Sequence, residues 1–139
     1  MRTQRNRWLI VGAMAALLSA ALVCHGIYRW VEKSLRASEL IGAVYSGDSE
    51  RVRLLLDHGA DARAANLNGF TPLERAVTVP PQLVNPRVIE LLLQRGADPN
   101  VRNEHGETIL DIALRIHLST QVIRILTRYG AKHGARMAE

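Results

Sequence analysis

Leu54-Leu55-Leu56-Asp57-His58-Gly59-Ala60-Asp61 returns as Leu91-Leu92-Leu93-Gln94-Arg95-Gly96-Ala97-Asp98, and again as Ile125-Leu126-Thr127-Arg128-Tyr129-Gly130-Ala131-Lys132. Gly59 and Gly96 lie 37 positions apart, and Gly96 and Gly130 lie 34 apart. A self-similar unit of this length is the mark of a solenoid, in which each unit buries its apolar face only against its neighbours. The fold class is therefore all-α, a stack of short helix pairs, and function is to be sought on the stacked surface.

A second register mark locates the slack in the period. Asn66-Leu67-Asn68-Gly69-Phe70-Thr71-Pro72-Leu73 matches Asn103-Glu104-His105-Gly106-Glu107-Thr108-Ile109-Leu110, and each glycine follows the preceding Gly-Ala glycine by ten positions. The turn between units is thus constant. The variation falls inside the units, where Gly69 to Gly96 is 27 positions and Gly106 to Gly130 is 24. Thr71 and Thr108 suit the N-cap of a first helix, and Pro72 suits its first turn. Ala76 and Ala113 let paired helices approach, while Val88, Ile89, Leu91, Leu92 and Leu93 form the apolar body of a second helix. Gly59, Gly96 and Gly130 supply the left-handed residue that ends it, and Asp61, Asp98 and Asn100 suit the turn that follows.

These residues resemble the ankyrin repeat, whose pattern runs Gly-x-Thr-Pro-Leu-His-x-Ala through a second helix to Leu-Leu-Leu-x-x-Gly-Ala-Asp. The resemblance covers residues 38–133 and implies three repeats, about 38–63, 64–100 and 101–133. The family's histidine is replaced by Glu74 and Asp111, and its proline by Ile109, which alters the polar bonds that brace each loop against the next repeat. The first unit lacks the opening motif, and Ser38 to Asp48 align with its first helix and turn, as in a terminal capping repeat. Val79-Pro80-Pro81-Gln82-Leu83-Val84-Asn85-Pro86 carries three prolines and reads as a loop between two helices. An array of this kind implies a protein-binding surface built from hairpin tips and first-helix faces. Its candidate contacts are Leu67, Asn68 and Phe70 at one tip and Glu104, His105 and Glu107 at the next.

Residues 8–28, Trp8 to Tyr28, contain no Asp, Glu, Lys or Arg, a length that at helical rise reaches about 30 Å and predicts a transmembrane helix. Arg2, Arg5 and Arg7 in a basic tail over 1–7 precede it. Arg29, Lys33 and Arg36 in a helical linker over 29–37 follow, with Trp8, Tyr28 and Trp30 at interfacial positions. The short basic tail favours an inner N-terminus and repeats on the periplasmic or exoplasmic side, the cytoplasmic side being the alternative. Gly12, Ala16 and Ala20 form a small-residue face, a candidate for weak homodimerisation. The rival reading is an exported soluble protein, because Ser19-Ala20-Ala21 outlines a cleavage site that would remove residues 1–21. Residues 134–139 form a short C-terminal tail.

The chain holds 18 Lys and Arg against 13 Asp and Glu, but the excess lies in residues 1–36, with six basic and one acidic side chain. The remainder is balanced at twelve and twelve, so neither charge nor motif points to nucleic acid. His25, His58, His105, His117 and His133 pair with no cysteine or second histidine at ligand spacing, and Cys24 stands alone. Gly42, Gly47, Gly59 and Gly69 are too scattered for a phosphate loop. The sequence therefore predicts a binding protein without enzymatic activity, metal or cofactor, the remaining alternative being a small enzyme whose site is not recognised in the sequence.

Overall fold

The computed structural model describes the backbone of residues 2–66 and 68–134, and the side chains of 14, 17–66 and 68–134. Six helices follow one another among these residues: α1 Arg2–Tyr45, α2 Ser49–Asp57, α3 Pro72–Thr78, α4 Pro86–Gln94, α5 Ile109–Arg115 and α6 Thr120–Arg128. The chain divides into two compact units, Met1–Lys33 and Ser34–Glu139.

The described residues of the first unit all belong to α1. Its described large apolar side chains, from Met14, Leu17 and Leu18 through Leu22, Val23, Ile27 and Tyr28 to Trp30 and Val31, are all exposed, from 41% to 72%. Among the described residues no helix is long and apolar enough to cross a membrane. Within the span expected over 8–28, the side chains of residues 8–13, 15 and 16 lie outside the described residues, as do those of the tail 1–7. The described part of α1 thus does not bear out the transmembrane helix expected over 8–28. On the small-residue face, Ala20 is exposed, and the side chains of Gly12 and Ala16 fall outside the described set. No break separates residues 29–37 from the helix of the first repeat. Trp30-Val31-Glu32-Lys33-Ser34-Leu35-Arg36-Ala37 contains neither proline nor glycine, so nothing local ends α1 there.

The second unit stacks three helix pairs: the end of α1 with α2, α3 with α4, and α5 with α6. Each start is capped by a short polar side chain. Asp48 accepts from Arg51 N at 3.0 Å, Thr71 from Glu74 N at 3.2 Å and Asn85 from Arg87 N at 2.9 Å. Thr108 and Asp111 form a reciprocal capping box, and Ser119 caps α6. The second helices share one termination. Gly59, Gly96 and Gly130 have φ of +86°, +85° and +83°, and the next amide donates five residues back, Ala60 N to Leu55 O at 2.9 Å, Ala97 N to Leu92 O and Ala131 N to Leu126 O at 3.0 Å. This satisfies carbonyls that a helix end otherwise leaves unpaired.

Equivalent positions reveal how the stack holds together. Val44 and Val77 are buried against the following repeat, whereas Leu114 at the same position is 41% exposed, since no described repeat stacks beyond it. At the other end, Glu39 and Arg51 pair at 3.5 Å. They occupy the positions where Pro72 and Ile109, and Val88 and Val122, are buried in the second and third repeats. The first repeat thus presents a charged outer face, as a capping repeat requires. Polar bonds fix the register between repeats. Arg63 donates to Gly96 O, its counterpart Asn100 donates to Gly130 O at 3.1 Å, and Arg95 bonds Asp57.

The Val79–Pro86 stretch is ordered by its prolines. Val79 closes α3, Pro81–Leu83 form a single 3-10 turn, and Pro86 is the first residue of α4 rather than part of the loop. Asn85 Nδ2 donates to Gly47 O at 2.8 Å, so the loop is bonded to the interhelical turn of the first repeat.

Candidate protein-binding surface

Two hairpin tips project between successive repeats, and one asparagine organises each. Asn66 Oδ1 accepts from the amides of Asn68 at 3.0 Å and Phe70 at 3.1 Å, while Gly69 N donates to Asn66 O at 2.9 Å. Asn103 does the same with His105 N and Glu107 N, both at 3.0 Å, and Gly106 N donates to Asn103 O at 3.0 Å. An isolated antiparallel bridge joins Arg102 to Thr108 below the second tip. Asn66 and Asn103 were not among the residues the sequence singled out. Their signal was the Asn-x-x-Gly spacing, since an asparagine side chain closes its own turn two residues on.

The expected contact residues divide into two groups. Asn68, Glu104 and His105 are exposed at the two tips, with Glu104 and His105 3.7 Å apart. Phe70 is half-buried, and the Arg75 guanidinium lies 4.4 Å from its ring centroid, a cation–π contact inside its own repeat. Glu107 is tied down by Asn103 Nδ2 at 2.9 Å and by Arg115 Nε at 3.0 Å. The Asn103 hydrogen bond, then Arg115, holds its carboxyl below the ordinary carboxylate range. Glu107 therefore buttresses the hairpin. Leu67 lies outside the described residues.

Between the first and second tips' bases opens a cleft of about 240 Å³, where buried Ala62, Leu73 and Ala97 meet exposed Arg63 and Asp98. A polar cluster closes the third repeat. Asp111 Oδ2 accepts from Thr108 N at 3.0 Å, Thr108 Oγ1 at 2.8 Å and Gly134 N at 2.8 Å, while His133 Nδ1 lies 3.0 Å from Oδ1. Burial acts to raise this carboxyl, but the hydrogen bonds from Thr108, Gly134 and His133 together outweigh it and hold it well below the usual carboxylate range. Asp111 thus replaces the family histidine with a brace of its own between the loop and the C-terminal segment.

Among the described residues other ionisable groups pair at the surface, as Arg53 does with Glu50 at 2.8 Å and Asp57 at 3.7 Å. His58 Nδ1 is 2.7 Å from Leu54 O on its own helix, and Cys24 is exposed on α1. Among the described residues no group of three or more His, Cys, Asp or Glu gathers as a metal site would require.

A family description, ankyrin repeats in three copies, matches residues 20–103, more than half of the chain. Among solved structures, an ankyrin repeat domain from Acinetobacter baumannii is similar, at 30% identity and a TM-score of 0.61. That likeness covers 67% of this chain and 47% of that one, so the chain spans about half the length of the solved domain. No curated protein matches.

Proposed function

Because the chain belongs to the ankyrin-repeat family, whose repeats serve as protein-interaction modules, we propose that it is a membrane-tethered array that captures a protein partner through its hairpin tips. The observation that carries this is the placement of Asn68, Glu104 and His105. They are exposed at successive tips, beside a cleft lined by Arg63 and Asp98, on hairpins that other residues hold in shape. The test is crosslinking and pull-down from membranes with the wild-type chain and with Asn68→Ala, Glu104→Ala and His105→Ala combined. Loss of the crosslinked partner at unchanged melting temperature supports the tips as the contact. Equal capture by both proteins removes them.

The tether is residues 8–28, supported by the charge-free run and by the exposure of Leu17, Leu18, Leu22 and Val23 on α1. On the charge rule the repeats face the periplasmic or exoplasmic side, which reporter fusions after Glu139 test directly. The second reading is an exported soluble protein lacking residues 1–21, favoured by Ser19-Ala20-Ala21. A mature N-terminus at Leu22, read by mass, would replace the tether with that reading. Retention of Met1 or Arg2 keeps it.

A further inference from the structure

The chain has six asparagines, and only Asn68 is followed by glycine. Four of the others are tied by their side chains: Asn66 to two amides of its own tip, Asn85 to Gly47 O, Asn100 to Gly130 O and Asn103 to Glu107. Asn6 lies outside the described side chains. Asn68 is exposed, and its side-chain amide has no hydrogen bond among the described residues. Gly69 has a φ of +81°, and nothing lies within 4 Å of where a Cβ would stand, so no side chain crowds the Asn68-Gly69 step.

We infer that Asn68-Gly69 is a site of spontaneous deamidation that places a carboxylate on the first binding tip. The Gly69 amide nitrogen attacks Asn68 Cγ and forms a five-membered succinimide. The bond from Cγ to Nδ2 breaks, and Nδ2 departs as ammonia with the amide proton. Water then opens the ring. Hydrolysis at Cγ gives aspartate, and hydrolysis at the main-chain carbonyl gives isoaspartate, which runs the backbone through the side-chain carbon.

The hairpin itself restrains the reaction. Gly69 N donates to Asn66 O at 2.9 Å and must leave that bond to attack, so the tip reacts as it opens. Either product carries a negative charge at a position where the second tip has His105 in the equivalent place. The isoaspartyl form also lengthens the backbone between the Asn68 and Phe70 amides that Asn66 Oδ1 binds together. Its effect on partner capture rests on the binding reading above, whereas the chemistry does not.

The test ages the full-length folded chain in mildly alkaline buffer without any partner, so its outcome is independent of that reading. Peptide mapping locates the mass gain of amide-to-acid conversion, and isoaspartyl methyltransferase labelling reports the rearranged product. Conversion at Asn68 is expected on the order of tenfold faster than at Asn66 or Asn103, whose side chains must first break hydrogen bonds. Most methyl labelling should be lost in Asn68→Gln, and wild-type labelling should accelerate in denaturant. Conversion at Asn68 no faster than at Asn66 and Asn103, or labelling undiminished in Asn68→Gln, overturns the assignment.

Discussion

Replacing Asp111 by asparagine keeps its shape and removes its charge, which isolates what the carboxylate contributes. Oδ2 gathers the amides of Thr108 and Gly134, and shares the single Thr108 hydroxyl hydrogen with Lys132 O at 2.9 Å. Hydrogen bonds to a charged acceptor are worth about 1.5–3 kcal/mol against 0.5–1.5 for neutral pairs, so each amide bond loses about 1 kcal/mol. Two such bonds give a cost of about 2 kcal/mol for Asp111→Asn near neutral pH, or about 10 °C in melting temperature for a domain of this size. The pH dependence carries the sharper test. The folded carboxyl lies below its ordinary 3.8, so its stabilisation is complete above that value and is lost as pH falls toward the folded one. Wild type should therefore approach the variant as acid is added, closing the gap. Urea titrations followed by circular dichroism across that range measure it, and a His133→Ala background separates the imidazole's part. Equal stability near neutral pH, or a gap that persists undiminished into acid, would refute the reasoning.

Gly96→Ala should cost more than Gly130→Ala in the same melts. Both sites have left-handed φ, but an added Cβ at Gly96 meets Arg63 Nη2 at 3.1 Å, while Gly130 faces open space; about 1–2 kcal/mol is expected at Gly130 and more at Gly96. Asn103→Ala removes two amide acceptances and the bond to Glu107, and should lower stability by about 2–3 kcal/mol, with faster amide exchange at His105 and Glu107. His117 has a φ of 55° in the turn where the first repeat has Gly47, so His117→Gly should raise the melting point, by up to about 1 kcal/mol in stability.

The repeat architecture was legible because its punctuation is local. A left-handed glycine after Leu-Leu-Leu and a capping threonine before Pro-Leu each act within one turn, so their spacing alone places the helices. The merging of residues 29–37 with the helix of the first repeat was not legible, since a helix boundary needs a stop signal and none lies between Arg29 and Ala37. Pro86 was read with the loop although it opens α4. Proline before a helix and proline inside a loop look alike until the cap at Asn85 is seen. The bonds between repeats, Arg63 to Gly96 O and Asn100 to Gly130 O, join residues 33 and 30 positions apart and leave no local pattern.

The candidate contacts were only partly separable in sequence for a physical reason that the hairpins make plain. In each tip the first residue, Asn66 or Asn103, closes the turn with its side chain, and the fourth, Gly69 or Gly106, supplies a left-handed backbone. The fifth is also engaged, Phe70 under Arg75 and Glu107 with Arg115. What the hairpin does not use for its own shape is Asn68 at one tip and Glu104 and His105 at the other. A periodic pattern marks positions that structure needs, and these are the positions it does not need. Their side chains brace none of the hairpin's own bonds, so on the proposed binding role partner choice is written there while the array stays in register.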